Sequence, residues 1–121
     1  MTDWNTILME NLSNDYIHNE VDWVDLSCNY ELTEEVMRKY KNYIHWWFAS
    51  ENQKFSRKFV REIQNNINWI AYTKNKKHSE EFIIEFKHKI DILYILEKQK
   101  LSNICIKELI SVFKTNYNWC K

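Results

Sequence analysis

Residues 67–89 read INWIAYTKNKKHSEEFIIEFKHK, and the pattern of this stretch recurs along the 121-residue chain. Similar triplets start at positions 21, 44, 67 and 90, each 23 residues after the one before. A landmark pair follows each triplet at a fixed distance; the pairs are Leu32-Thr33, Phe55-Ser56, His78-Ser79 and Leu101-Ser102. A fixed period of this length is typical of stacked structural repeats. We therefore predict one domain, 1–121, with units near residues 3–20, 21–43, 44–66, 67–89 and 90–119.

Each unit is predicted to contain two helices. After Ser79, the apolar residues Phe82, Ile83, Phe86 and Ile90 have the spacing of one helical face, and the serine hydroxyl is suited to cap the first turn. A shorter helix starts at each triplet, and its N-cap column contains Asp3, Asp22, His45, Asn68, Asp91 and Asn118. We predict an all-α fold, a short solenoid of about five repeats, each with a short helix, a tight turn and a longer helix.

The chain contains no glycine and no proline, which restricts both its turns and its chemistry. Asn29, Asn52 and Asn75 form a column at the end of the short helices, and we expect them to adopt the left-handed cap conformation in place of glycine. Phosphate-binding loops, dinucleotide-binding fingerprints and the nucleophile elbow of hydrolases all need glycine. Enzymes that depend on one of these three motifs are therefore excluded.

Other chemistry is not indicated either. The three cysteines and four histidines lack the spacing of metal ligands, and His78 occupies a column of apolar residues. The mean hydropathy is −0.62, and no apolar run is long enough to cross a membrane. We expect no signal peptide, because the first residues lack its basic and apolar regions. We expect no enzyme activity, metal, cofactor, small-molecule substrate or membrane association, and a cytoplasmic location.

Tryptophans recur at the start of the short helices, at Trp4, Trp23, Trp46, Trp69 and Trp119. Such a column can stack nucleic-acid bases, but its place at the apolar position of every repeat favours core packing. Trp47 shares a second column with Val24, Ile70 and Leu93. We expect this column to form the buried margin of the short helices.

The net charge of zero conceals a strong asymmetry along the chain. Residues 1–37 contain nine acidic and no basic residues, whereas residues 38–121 contain 17 basic and eight acidic ones. We predict a basic, partner-binding ridge formed by Lys54, Lys77, Lys100, Arg57, Lys58 and Arg61, and an acidic surface formed by Asp25, Glu31, Glu34 and Glu35. A second basic column contains Arg38, Arg61 and Lys107. The alternative explanation is that these residues form ordinary solvated helix faces.

The repeat also resembles a known family. The match extends from Trp69 through Ser79-Glu80-Glu81-Phe82-Ile83 to Phe86 and Asp91, with weaker copies starting at Trp23 and Trp46. This pattern is similar to the tandem W-x8-LSEEFI units of predicted proteins from large DNA viruses and some phages. The resemblance implies a viral or phage accessory protein with a helical-repeat fold, and it implies no catalytic residues.

Three hypotheses for function remain open. In the first, the protein binds and modulates a host protein or a protein–nucleic-acid complex, for example as an anti-CRISPR-like inhibitor of host defence. In the second, it binds RNA or DNA directly through the basic ridge. In the third, its acidic end associates with the basic end of another copy, which gives a self-assembling structural protein.

Overall fold

The computed structural model describes residues 3–117, and the side chains of residues 3–114. This part of the chain contains ten α-helices and no β-strand, which confirms the all-α prediction. The helices are α1 (Trp4–Leu8), α2 (Asn14–Asn19), α3 (Trp23–Asn29), α4 (Glu34–Lys39), α5 (Trp46–Asn52), α6 (Arg57–Ile63), α7 (Trp69–Asn75), α8 (Glu80–Glu85), α9 (Ile92–Lys98) and α10 (Asn103–Tyr117). Asn118, Trp119 and Cys120, which the repeat pattern includes, lie outside the described residues.

The helix starts repeat with the period of the sequence. Helices α3, α5, α7 and α9 begin 23 residues apart, and so do α4, α6, α8 and α10. The side chains predicted as N-caps accept hydrogen bonds from backbone N–H groups of the first turn; these caps are Asp3, Asp22, His45, Asn68, Asp91, Thr33, Ser56, Ser79 and Ser102. Each cap provides a partner for an N–H group that has none within its helix.

The second helix is shorter than predicted in three of the repeats. Helices α4, α6 and α8 have six, seven and six residues, no more than the seven of α3; α10, with 15 residues, is longer. A single hydrogen-bonded turn replaces the missing part, because the Ile44 N–H donates to Tyr40 O at 3.0 Å. Such a turn keeps the spacing of four residues, so Val36, Met37, Tyr40 and Ile44 are all buried as the periodicity indicates.

The prediction of left-handed asparagine caps is wrong. The short helices end at C-caps with extended backbone: φ is −118° at Tyr30, −91° at Gln53, −155° at Lys76 and −123° at Gln99. The asparagine that precedes the cap uses its side chain instead, since Asn52 Nδ2 donates to Phe48 O at 2.8 Å. The chain leaves each short helix without a positive φ, which explains how these turns form without glycine.

The chain divides into two compact units, Met1–Ile67 (unit 1) and Asn68–Lys121 (unit 2). In unit 1, α3 packs against α5, and the core includes Leu26, Val36, Met37 and Phe59. In unit 2, α8 packs against α10 and α7 against α9, with a core that includes Tyr72, Phe82, Ile83, Ile95 and Leu109. None of the helices in the described residues has the length and apolar character needed to cross a membrane.

Candidate functional site

A column of buried hydroxyl groups connects successive short helices within each unit. Ser27 Oγ in α3 accepts a hydrogen bond from the N–H of His45, the N-cap of α5, at 3.1 Å. In unit 2, Thr73 Oγ1 in α7 accepts from the N–H of Asp91, the N-cap of α9, also at 3.1 Å. A buried hydroxyl is costly unless it is hydrogen-bonded, and this pairing removes the cost.

Two glutamine side chains form a second connection between successive repeats, and this connection was not predicted from the sequence. Gln53, only 3% exposed, accepts from the Leu32 N–H at 2.9 Å and donates to Ser27 O at 2.9 Å and Tyr30 O at 2.5 Å. Gln99 accepts from the His78 N–H at 3.2 Å and donates to His78 O at 2.8 Å. The signal was present in the sequence, because both glutamines occupy the same column, two periods apart.

His78 is a packed core residue. The residue is 4% exposed, and its ring lies 4.8 Å from the ring of Phe82 in a stacked arrangement and donates from Nε2 to Tyr72 O at 3.0 Å. Burial lowers the pKa of His78, and the nearby charge of Lys76 lowers it further. Within residues 3–117, no group of three or more His, Cys, Asp or Glu side chains is placed to hold a metal ion.

A groove between α7 and α9 contains an unusual concentration of lysines. It encloses a cavity of about 310 Å³ lined by Thr73, Lys74, Lys76, Lys77, Tyr94, Ile95, Lys98 and Gln99, and we call it the lysine groove. Across the described residues, no carboxylate lies within ion-pairing distance of any of its four lysines. Lys74 Nζ lies 5.6 Å from the centre of the Tyr94 ring, close enough for a cation–π contact.

The polar groups at the base of the lysine groove are already used by the fold. Thr73 Oγ1 donates to Trp69 O at 2.6 Å and accepts from the Asp91 N–H. The side-chain amide of Gln99 is bonded to the backbone of His78 at both ends. The lysine ammonium groups are therefore the charged donors that remain for a ligand.

Unit 1 contains the equivalent groove with different chemistry. Its cavity of about 210 Å³ is lined by Cys28, Asn29, Tyr30, Glu31, Asn52, Gln53 and Lys54, and we call it the neutral groove. At a distance of two periods, Cys28 corresponds to Lys74, Tyr30 to Lys76, Glu31 to Lys77 and Asn52 to Lys98. The Lys54 and Glu31 side chains lie 3.9 Å apart and offset each other's charge. The repeat thus forms a groove in both units, but only the groove of unit 2 is lined by several cations.

The predicted basic ridge is divided between the two units. Lys77 lines the lysine groove, and the exposed Lys100 directly follows Gln99, another of its lining residues. Lys54 lines the neutral groove in unit 1, and Arg57, Lys58 and Arg61 are exposed on α6. The sequence-based ridge missed Lys74, Lys76 and Lys98, although the run Lys74-Asn75-Lys76-Lys77 was visible as a cluster of charge.

Arg38, in the second basic column, is neutralised by a carboxylate. Its Nε and Nη2 atoms donate to the two carboxylate oxygens of Glu62 at 2.8 and 3.0 Å. This hydrogen bonding raises the pKa of Arg38 and lowers the pKa of Glu62. Arg38 is thus paired within unit 1.

Two members of the predicted acidic surface have structural roles. Glu34 accepts from the Ser56 N–H at 2.6 Å and from Ser56 Oγ at 3.0 Å, and Asp25 accepts from Asn29 Nδ2 at 2.7 Å. In unit 2, Glu80 makes the same contacts to Ser102, and these hydrogen bonds lower the pKa of Glu80. Glu31 and Glu35 are exposed.

The prediction that Trp47 and its column are buried is wrong. The exposed fractions are 46% for Val24, 45% for Trp47, 54% for Ile70 and 67% for Leu93. These residues follow the first helical residue, and one step along a helix turns the side chain by about 100°, away from the buried face. The column of first helical residues is half-buried at Trp23, Trp46 and Trp69, and Trp23 Nε1 donates to Ile17 O at 3.0 Å.

Comparison with known proteins gives no relative. No protein-family model matches the chain, and no match was found among curated proteins or solved structures. The functional interpretation therefore depends on the chemistry of the grooves.

Proposed function

We propose that the protein is a non-enzymatic helical-repeat binding module that holds an anionic partner against unit 2. The observation that carries this proposal is the lysine groove, whose four cations have no carboxylate partner among the described residues. The charge of the whole unit agrees with it. Unit 2 has ten lysines and six acidic residues, a net charge of +4, whereas unit 1 has seven basic and eleven acidic residues, a net charge of −4.

The wider setting is part of the same proposal. The 23-residue period of helix starts supports a solenoid of about five two-helix repeats. The similarity of the repeat to W-x8-LSEEFI units supports an accessory protein of a virus or phage, acting in the cytoplasm of the host. Its partner is then a host protein or a protein–nucleic-acid complex, and inhibition of host defence is one activity that such binding serves.

The experiment is affinity capture with the tagged full-length chain from host lysate, with and without nuclease. Two charge-matched variants accompany the wild type: K74Q/K77Q in the lysine groove and K41Q/K89Q at exposed positions outside it. We expect the wild type and K41Q/K89Q to recover the same partner and K74Q/K77Q to lose it. Equal recovery by all three proteins refutes the proposal.

The opposite charges of the two units also favour a second function, self-assembly. An acidic unit 1 of one copy and a basic unit 2 of another attract each other, and contacts of this kind lead to rings or filaments. Light scattering at about 50 mM and about 500 mM salt tests this, because screening weakens such contacts. A monomer at both salt concentrations rules it out.

A further inference from the structure

We infer that the lysine groove binds the sugar–phosphate backbone of a single-stranded nucleic acid. The inference rests on the proposed function, because it names the chemistry of the anionic partner. The groove lies between two helices of seven residues, each about 10 Å long. This length suits contact with a short segment of an extended strand.

The number and spacing of the cations suit a chain of phosphate groups. All basic residues of unit 2 are lysines, and arginine is absent from residues 68–121 of the sequence. Arginine forms two parallel hydrogen bonds with either a carboxylate or a phosphate, whereas lysine acts as a point charge with three donors. Four such point charges around one cavity suit a compact anion whose several oxygens accept from more than one ammonium group.

The base of the lysine groove favours recognition without sequence preference. Reading a base requires directional donors and acceptors that are free to contact its edge. Thr73 and Gln99 use their polar atoms within the fold, so neither is available for this purpose. The charged contacts that remain are to phosphate, which every sequence presents.

Tyr94 favours a single strand over a duplex. Its side chain is half-buried in the wall of the lysine groove, beside Lys74. Proteins that bind single strands without sequence preference combine a positive groove with an aromatic ring on which a base stacks. In a duplex, the bases are stacked on each other and do not reach such a ring.

The test is fluorescence anisotropy with the full chain and three labelled probes. The probes are an oligothymidylate of about 20 nucleotides, a duplex of equal length and a polyglutamate peptide of equal charge. For four lysine–phosphate contacts, the slope of log affinity against log salt is about −2.8 with the single strand, so affinity falls about 50-fold between about 50 and about 200 mM salt. The K74Q/K77Q variant retains two contacts, and its affinity falls only about sevenfold over that range.

Two further variants separate the contributions. K41Q/K89Q changes the total charge equally but leaves the lysine groove intact, so the slope should equal that of the wild type. Y94L keeps an apolar side chain and removes the aromatic ring, and we expect it to weaken oligothymidylate binding at least about fivefold without changing the slope. Circular dichroism is the control that tests whether each variant remains folded.

The outcomes distinguish this inference from the proposed function. If polyglutamate binds through the groove lysines and the oligothymidylate does not, the nucleic-acid inference is overturned while the proposed function stands. If no probe binds at about 50 mM salt, both fail. If K74Q/K77Q leaves the slope unchanged, the binding site lies elsewhere. If the duplex binds as tightly as the single strand and Y94L has no effect, the assignment to a single strand is overturned.

Discussion

The glutamine connection allows a sharp test of what stabilises unit 1. Replacing Gln53 by leucine keeps the volume of the side chain approximately but removes its hydrogen bonds to the Leu32 N–H, Ser27 O and Tyr30 O. Each such bond contributes about 1 kcal/mol net, and the backbone groups left behind lie in a buried or half-buried site. We expect Gln53→Leu to lower the free energy of unfolding by about 3 kcal/mol.

Denaturation by urea, followed by circular dichroism, measures this change, and hydrogen exchange at the Leu32 amide shows where it occurs. Gln99→Leu gives a graded comparison, because Gln99 is half-buried and makes two bonds, so we expect a loss of about 2 kcal/mol. Asn65→Leu, at an exposed position of unit 1, is the control and should change the free energy by less than about 0.5 kcal/mol. If Gln53→Leu is as mild as the control, the two glutamines do not hold the repeats together.

Three other predictions concern charge and packing. Burial holds the pKa of His78 below its usual value of 6.5, so the unfolded chain takes up a proton at a higher pH than the folded protein does. The free energy of unfolding therefore falls as the pH drops below 6.5, by at most about 1.4 kcal/mol per pH unit. H78L should remove this dependence in urea titrations. The pKa of Glu80 lies below its usual value of 4.5. The stabilisation that the ionised Glu80 provides is therefore complete above pH 4.5 and disappears as the pH falls through the lowered pKa. The difference in melting temperature between wild type and E80Q should vanish in acid. Trp47→Gln should change stability by less than about 0.5 kcal/mol, whereas Phe59→Ala, at a position with 0% exposure, should cost about 3–5 kcal/mol in the same assay.

Each of these has a clear contrary result. A pH dependence that survives in H78L assigns the acid sensitivity to another group. An E80Q protein that melts like the wild type at neutral pH means that the bonds to Ser102 add nothing. Equal losses from the Trp47 and Phe59 variants would contradict the exposure of Trp47.

The helix starts and most of the core were predictable because both depend on local patterns. Capping residues such as Asp22 and Ser79 act within their own first turn, and the apolar face of Phe82, Ile83 and Phe86 follows from helical spacing. The helix ends were less predictable. The pattern of four-residue steps is the same whether a helix continues or a single turn follows it, so periodicity alone could not show where α4 stops.

The candidate site was predicted only in part, because it depends on contacts between repeats. The column containing Lys77 was recognisable from register, but a groove between α7 and α9 also brings in Lys98 from the next repeat. Trp47 was misplaced for a related reason. An apolar column indicates a buried face in most helices, and only the packing of α3 on α5 shows that its second position faces outward.

The two grooves show that, in this repeat, the residues that form the internal hydrogen bonds differ from the residues that determine the charge of the surface. Ser27 and Gln53 in unit 1, and Thr73 and Gln99 in unit 2, supply the internal bonds, whereas the positions of the four groove lysines carry other residues in unit 1. A side chain at such a position can therefore change with little effect on folding. The neutral groove is a natural example of the same groove with different side chains, and it offers a place to engineer a second binding specificity into the same chain.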